Sequence, residues 1–254
     1  MATDHSARVA VITGAARSFG RAVAEALAAS GAHVVAVDLR DCAQTAEAIE
    51  AAGGRCTPLT ADVSDPEAVA RLAAAVHEAA GRCDILVNLA GINFAASFEE
   101  LELEAFRRVL SINLESQFLM AKAFAPDMIE RGWGRIVNMA SSSIYTNTAG
   151  LTAYMASKAG ALGLTSGLAN DLGSHGITVN AVSPGLTRTA AVDESIERGE
   201  FPREVLDQMV GQRALRRHAA VEDLVGSIAF LVSDEAAFVT ARFLVADGGA
   251  TRTF

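Results

Sequence analysis

The chain has 254 residues, with 30 acidic against 21 basic side chains, a net charge of -9 and a pI near 5.1. That length fills one large domain with a well-buried core, and the acidic balance offers no basic footprint, so nucleic acid is not expected as a partner. Hydrophobic residues make up 51%, yet no run is long and unbroken enough to span a bilayer and MATDHSARVAVITG lacks a signal-peptide core with a cleavage site, so a soluble, cytoplasmic protein is expected, with no membrane partner.

In chain order, short apolar runs alternate with longer helix-forming stretches, the layout of a parallel sheet covered on both faces. RVAVIT (8–13) reads as the first strand, and AVAEALAAS after it as a helix stopped by Gly31. HVVAVD (33–38) is the second strand, followed by a helix ending near Gly53. CTPLTAD (56–62) is the third, followed by a helix that Ser64 and Glu67 would open as a capping box. DILVNLAG (84–91), GRIVNMAS (134–141), ITVNAVSPG (177–185) and FLVADGG (243–249) complete seven strands. Helical stretches fill about 102–131 and 152–174. Right-handed crossovers make this an α/β, doubly wound parallel sheet in a single domain over 1–254. The stretch 186–218 breaks the rhythm at the carboxyl edge of the sheet and is predicted to be a mobile substrate lid.

The three cysteines, Cys42, Cys56 and Cys83, lack C-x-x-C spacing, and the five histidines are scattered singly, so neither a disulfide framework nor a metal site is expected. Chemistry concentrates elsewhere. TGAARSFG (13–20) lies between the first strand and first helix, where Gly14 and Gly20 let the backbone approach a pyrophosphate seated on the helix N-terminus. Arg17, Ser18 and Phe19 complete this turn, with Ser18 where a middle glycine would be expected. Asp38 ends the second strand, 24 residues after Gly14, where a carboxylate accepts ribose hydroxyls and repels a 2'-phosphate. NAD is therefore expected over NADP, although Arg17 and Arg40 pull the other way.

In AYMASKAG (153–160), Tyr154 precedes Lys158 by one helical turn. A free phenol, with a pKa of about 10, is a poor base at neutral pH, and an ammonium on the same face would lower that value. The small residues around the pair, Gly160 among them, would leave room for a nicotinamide ribose bound by the same lysine.

These segments, with ADV (61–63), NLAG (88–91), Asn113, Ser141 and SPGLTRT (183–189), occur in the order found in short-chain dehydrogenase/reductases, a resemblance covering nearly the whole chain. GRCDILVNLAGI, FLMAKAFAPDM with GWGRIVN, and GITVNAVSPGLTRTA look more particularly like bacterial NAD-dependent 1-phenylethanol dehydrogenases, and more broadly like 3-oxoacyl-[acyl-carrier-protein] reductases. The resemblance implies a Rossmann fold, a homotetramer, and hydride transfer between NAD and a secondary alcohol or an aromatic or other apolar ketone. It departs at Ser18 and at Leu89, which stands in place of a second asparagine that normally helps hold the central strands together.

Carried over by motif, the catalytic set is Asn113, Ser141, Tyr154 and Lys158. Ser141 polarises the substrate oxygen, Ser142 and Ser143 leaving its register open, and Asn113 holds a water that contacts the lysine. The cofactor set is Gly14, Arg17, Ser18, Phe19, Gly20, Asp38, Leu39, Asp62, Val63, Asn88, Ala90, Gly91, Tyr154, Lys158, Pro184, Gly185, Thr187 and Thr189. Ser143, Phe94, Ile144, Tyr145, Leu186 and residues around Phe201 are expected walls of the substrate pocket. Phe106, Leu110, Phe118 and Phe124 on the long helices are candidates for subunit contacts. Alternatives within the family are a 3-oxoacyl-thioester reductase and a sugar or polyol dehydrogenase; outside this chemistry stand a halohydrin dehalogenase and an NAD-binding sensor.

Overall fold

The computed structural model describes residues 4–146, 148–199 and 202–251. Seven parallel strands, β1 (Val9–Thr13), β2 (His33–Asp38), β3 (Arg55–Thr60), β4 (Ile85–Asn88), β5 (Gly134–Met139), β6 (Ile177–Pro184) and β7 (Phe243–Ala246), form one sheet in the order β3-β2-β1-β4-β5-β6-β7. The chain thus runs outward from β1 to β3 and then returns past β1 to β4, placing the topological switch point between β1 and β4.

Side chains alternate across the sheet, and both sides are buried. Ala10, Ile12, Val34 and Ala36 pack towards α1 (Ser18–Ala29), α2 (Ala43–Ala51) and α9 (Glu222–Leu231). Val9, Val11, Val35 and Val37 pack towards α3 (Pro66–Ala80), α5 (Ser116–Arg131) and α6 (Thr152–Leu172). Phe124, expected at a subunit contact, is fully buried in this second layer. Phe118 on the same helix is 48% exposed.

Local chemistry moves several expected boundaries. The α3 cap is Asp65, not Ser64: its carboxylate accepts from the Glu67 backbone N–H, and Pro66 takes the first helical position, where its missing N–H costs nothing. Ser64 instead donates to Asp62 at 2.6 Å. β4 stops at Asn88 because the next two amides, of Leu89 and Ala90, both donate to Thr13 Oγ1 at 3.0 Å and so leave the ladder. The helical stretch after β4 is two helices, α4 (Leu103–Leu110) and α5, joined by a π turn over Ser111–Glu115. Segment 186–218 carries two helices, α7 (Ala190–Glu197) and α8 (Arg203–Gln212).

Candidate active site

Strand register brings the carboxyl ends of β1, β4 and β5 level, with Thr13 beside Asn88 and Asn88 beside Asn138. The glycine turn rises from that edge. Gly14 has φ +71, and a Cβ there would stand 2.9 Å from the Ala90 nitrogen; at Gly20 it would stand 2.0 Å from the Gly14 carbonyl oxygen. Only glycine fits either position, so the turn lies close against the β4 end and leads straight into α1. Ser18 takes the left-handed conformation that a glycine would adopt freely, with φ 51.

Asp38 is half-buried at the tip of β2, where its carboxylate accepts from the Ala16 amide at 3.1 Å and the Arg40 amide at 3.0 Å. It is therefore tied to the glycine turn rather than loose in solvent. Leu39 beside it is 69% exposed. Arg17, one of the two competitors for a 2'-phosphate, pairs with Glu194 of α7 at 3.7 Å. A turn that excludes side chains at a helix N-terminus, with a carboxylate one strand away, fits a dinucleotide cofactor. Exposed Asp62 and buried Val63 lie just past the end of β3.

Asn88 turns its side-chain nitrogen towards the neighbouring strand, while its Oδ1 is buried and has no partner. Its amide donates to Asn138 Oδ1 at 2.9 Å, and Asn138 in turn donates to Thr165 Oγ1 at 3.0 Å, so β4, β5 and α6 are clamped through a buried polar chain. This clamp does the work that the asparagine missing at Leu89 would have shared. Beyond it, Ala90 is half-buried and Gly91 exposed. A Cβ on Gly91 would stand 3.0 Å from Asn113 Oδ1 and 3.6 Å from Lys158 Nζ, so this loop, the π turn and α6 converge.

Ser141, just past β5, is buried, and its hydroxyl is the side chain that acts against the shift of the Tyr154 phenol. Ser141 Oγ also accepts from the Ser143 amide at 3.2 Å and caps a short 3-10 turn over Ser142–Tyr145. Burial pushes the Tyr154 phenol above its ordinary pKa, and the Ser141 bond opposes this. Lys158 Nζ lies 5.8 Å from the Tyr154 ring centroid and donates to the Met139 carbonyl at 3.0 Å. Burial alone pushes this lysine down to about 8. The expected lowering of the phenol by the lysine is thus corrected: the ammonium is close, but its hydrogen bond goes to Met139, and desolvation dominates both groups.

One further expectation changes. Gly160 does not open space for a ribose, since a Cβ there would meet Leu114 Cδ2 at 2.6 Å; it admits the π turn against α6. Asn113, fully buried, grips both backbone groups of Ile92 at 2.8 and 2.9 Å and donates to Ser157 Oγ at 3.1 Å. Its own carbonyl accepts from Gln117 Nε2 at 2.8 Å and keeps a second lone pair for a further donor. Gln117 is a site residue that motif reading passed over, and its only signal was a polar residue one turn after Asn113 on a buried helix face.

Pro184 ends β6, and Gly185 is needed because a Cβ would lie 2.8 Å from Asp247 Cβ. Thr187 is buried and donates to the Gly185 carbonyl at 2.9 Å, while Thr189 caps α7 by accepting from the Val192 amide at 3.3 Å. Both hydroxyls thus shape the base of the 186–218 segment. Arg213, also missed by sequence, is 3% exposed and donates to the carbonyls of Leu186 and Arg217, tying that base down. Phe94, Ile144 and Leu186 are half-buried, as is Phe19 in the glycine turn, and Tyr145 is 41% exposed. Phe201 lies outside the described residues. Among the described residues no cluster of metal-ligating side chains occurs, and no helix is long and apolar enough to cross a membrane.

Comparison with known proteins gives this geometry its relatives. A family model described as enoyl-(acyl carrier protein) reductase matches residues 14–251. The chain is 37% identical over 244 residues to the short-chain reductase protein NovJ of Streptomyces niveus, covering 95% of this chain and 93% of the relative. It is 38% identical over 250 residues to D-threitol dehydrogenase of Mycolicibacterium smegmatis, covering 96% and 93%. A solved short-chain type dehydrogenase/reductase from Mycobacterium ulcerans superposes with a TM-score of 0.90 at 28% identity, over 97% of this chain and 90% of that one.

Proposed function

The chain belongs to the short-chain dehydrogenase/reductase family of oxidoreductases, and on that premise we propose that it moves a hydride between NAD(H) and a secondary alcohol or its ketone, with Ser141, Tyr154, Lys158 and Asn113 as the catalytic group. The observation that carries this reading is the Tyr154 ring 5.8 Å from the buried Lys158 Nζ, beside a loop that Gly91 lets approach Asn113 and that lysine closely. The nicotinamide, when bound, supplies or accepts the hydride. The chain supplies the rest. Ser141 holds and polarises the substrate oxygen, Tyr154 gives or takes the proton at that oxygen, and Lys158 stands one turn along the same helix as the buried cation of the site.

The preference for NAD rests on Asp38, whose carboxylate would face a 2'-phosphate, and on the engagement of Arg17 with Glu194. For the substrate, the half-buried Phe94, Ile144 and Leu186 support an apolar or aromatic ketone of the kind that 1-phenylethanol dehydrogenases take. A polyol is the second reading. It is supported by the threitol-oxidising relative and by Ser143 Oγ, which is buried without a partner and could bond a second substrate hydroxyl. Exposed Leu103 and Phe118 on α4 and α5 support assembly into a homotetramer.

Turnover of NADH with acetophenone and an acetoacetyl ester, and of NAD with D-threitol, separates the substrate readings. Tyr154→Phe should keep NADH binding and lose turnover by about 10²-fold or more, the usual worth of a positioned proton donor. Near wild-type turnover in that variant, or a wild-type protein that binds no NADH, would overturn the reading.

A further inference from the structure

A cavity of about 800 Å³ lies at the end of the sheet opposite the glycine turn, and the reaction outlined above makes no use of it. It opens at the amino ends of β5 and β6, where Trp133, Arg135 and Thr178 line it, and its other wall is the segment from Asp234 to Arg242 that leads into β7. Ser141 lies past the far end of β5, a strand of six residues and so about 20 Å long. The cavity has the size of a small-molecule site and stands apart from the catalytic one.

Arg135 and Thr178 are direct partners in the β5–β6 register, so their side chains leave the same face of the sheet side by side. Arg135 is 2% exposed. Its Nε and Nη1 donate to the carbonyls of Ser233 and Gly134 at 3.1 and 2.9 Å, while Nη2 stands 3.7 Å from Asp234, too far for a hydrogen bond. Thr178 is 5% exposed, and its Oγ1 is buried without a partner. Two adjacent donors, both buried and both short of an acceptor, mark a place where an acceptor belongs. The charge agrees. Arg135 and Arg242 line the cavity against Asp234, whose Oδ1 already accepts from Trp133 Nε1 at 3.1 Å. Arg8 adds a third guanidinium, 3.6 Å from the Trp133 ring centroid, in a chain whose net charge is -9. Ile177, Val239 and the fully exposed Phe238 supply an apolar wall.

We propose that this cavity binds a small aromatic carboxylic acid, whose carboxylate accepts from Arg135 Nη2 and Thr178 Oγ1 and whose ring lies against the apolar wall. A carboxylate has two oxygens for two donors on neighbouring strands, and a charged acceptor makes the stronger bond with a guanidinium. A cation would meet the excess of arginine. A bare inorganic anion would leave the apolar wall and most of the volume unfilled, and a neutral ring would leave Nη2 without an acceptor. The proposal stands on the amino ends of β5 and β6 and is independent of the catalytic reading of Tyr154 and Lys158.

Trp133 is the single tryptophan of the chain, so its emission reports on this cavity directly. The intact protein is titrated at constant ionic strength with benzoate, with benzyl alcohol, which keeps the ring without the charge, and with inorganic phosphate, which keeps the charge without the ring. Benzoate should saturate the change in emission with a midpoint at or below about 1 mM, and the other two should bind at least about tenfold more weakly. Thr178→Val keeps the shape and removes the hydroxyl, so it should weaken benzoate about fivefold. Its melting temperature should stay level or rise, because that hydroxyl has no partner to lose. Arg242→Gln, at an exposed position, should weaken benzoate about twofold. No saturation by benzoate, or saturation by phosphate or benzyl alcohol at the same concentration, overturns the proposal on the wild type alone, whether or not either variant folds. A cavity closed by a second subunit gives the first of these results. An unchanged benzoate midpoint in Thr178→Val overturns the assigned contacts.

Discussion

Replacing Lys158 with methionine should make the protein more stable at neutral pH while ending turnover. Burial lowers the lysine from 10.5 to about 8, so the unfolded chain holds this proton more tightly than the folded one. The penalty on folding is fully present below about pH 8 and vanishes above about 10.5. At about 1.36 kcal/mol per pKa unit the drop is worth about 3 kcal/mol, and the bond to Met139 returns about 1, leaving a net cost near 2 kcal/mol. Methionine matches the stem in length and needs no solvation, and the Met139 carbonyl keeps its donor from Gln117, so no buried acceptor is orphaned. The gain of about 2 kcal/mol should raise the melting temperature by roughly 4–8 °C for a chain of this size. Thermal unfolding of both proteins by circular dichroism at pH 7 and pH 10 reads it. A variant less stable than wild type at pH 7, or one whose advantage is equal at both pH values, would refute the claim that the site holds a cation at the expense of the fold.

Asp38→Ala should cost NAD at least about tenfold in kcat/KM, about 1.4 kcal/mol, while sparing NADP, as read from initial rates with both cofactors; a wild-type preference for NADP would refute this. Gly20→Ala should abolish NADH binding in a fluorescence titration, because the new Cβ would collide with the Gly14 carbonyl at 2.0 Å and force the phosphate turn open. Ala241, with φ 56 just before β7, pays for a left-handed conformation that glycine adopts freely. Ala241→Gly should therefore stabilise the fold by about 1 kcal/mol in urea denaturation without changing turnover.

The parts of this molecule legible in its sequence are those decided by short stretches. RVAVIT and HVVAVD are continuous apolar runs because both faces of β1 and β2 are covered, and the structure ends β2 at Asp38 as the pattern implied. Gly14 and Gly20 were legible because their constraint is the turn they occupy, and Tyr154 and Lys158 because helical spacing alone puts them on one face. The α3 cap misled for a local reason. Ser64 and Asp65 are both competent caps, and Pro66 decides between them by taking the first helical position.

What could not be read depends on contacts between segments far apart in the chain. Gly160 is small because Leu114 packs on it, and Asn88 faces inward because Asn138, fifty residues on, receives its amide. The same holds for the lysine. Helical spacing correctly brings its charge near the phenol, but which acceptor it takes is decided by β5, whose Met139 carbonyl ends within reach of both Lys158 and Gln117. The shift of that lysine, by contrast, comes from burial, which segments far apart in the chain build by closing over α6. A Tyr-x-x-x-Lys motif puts two groups on one helix face, whereas how far each is desolvated depends on the strands and helices packed round them, which no motif contains.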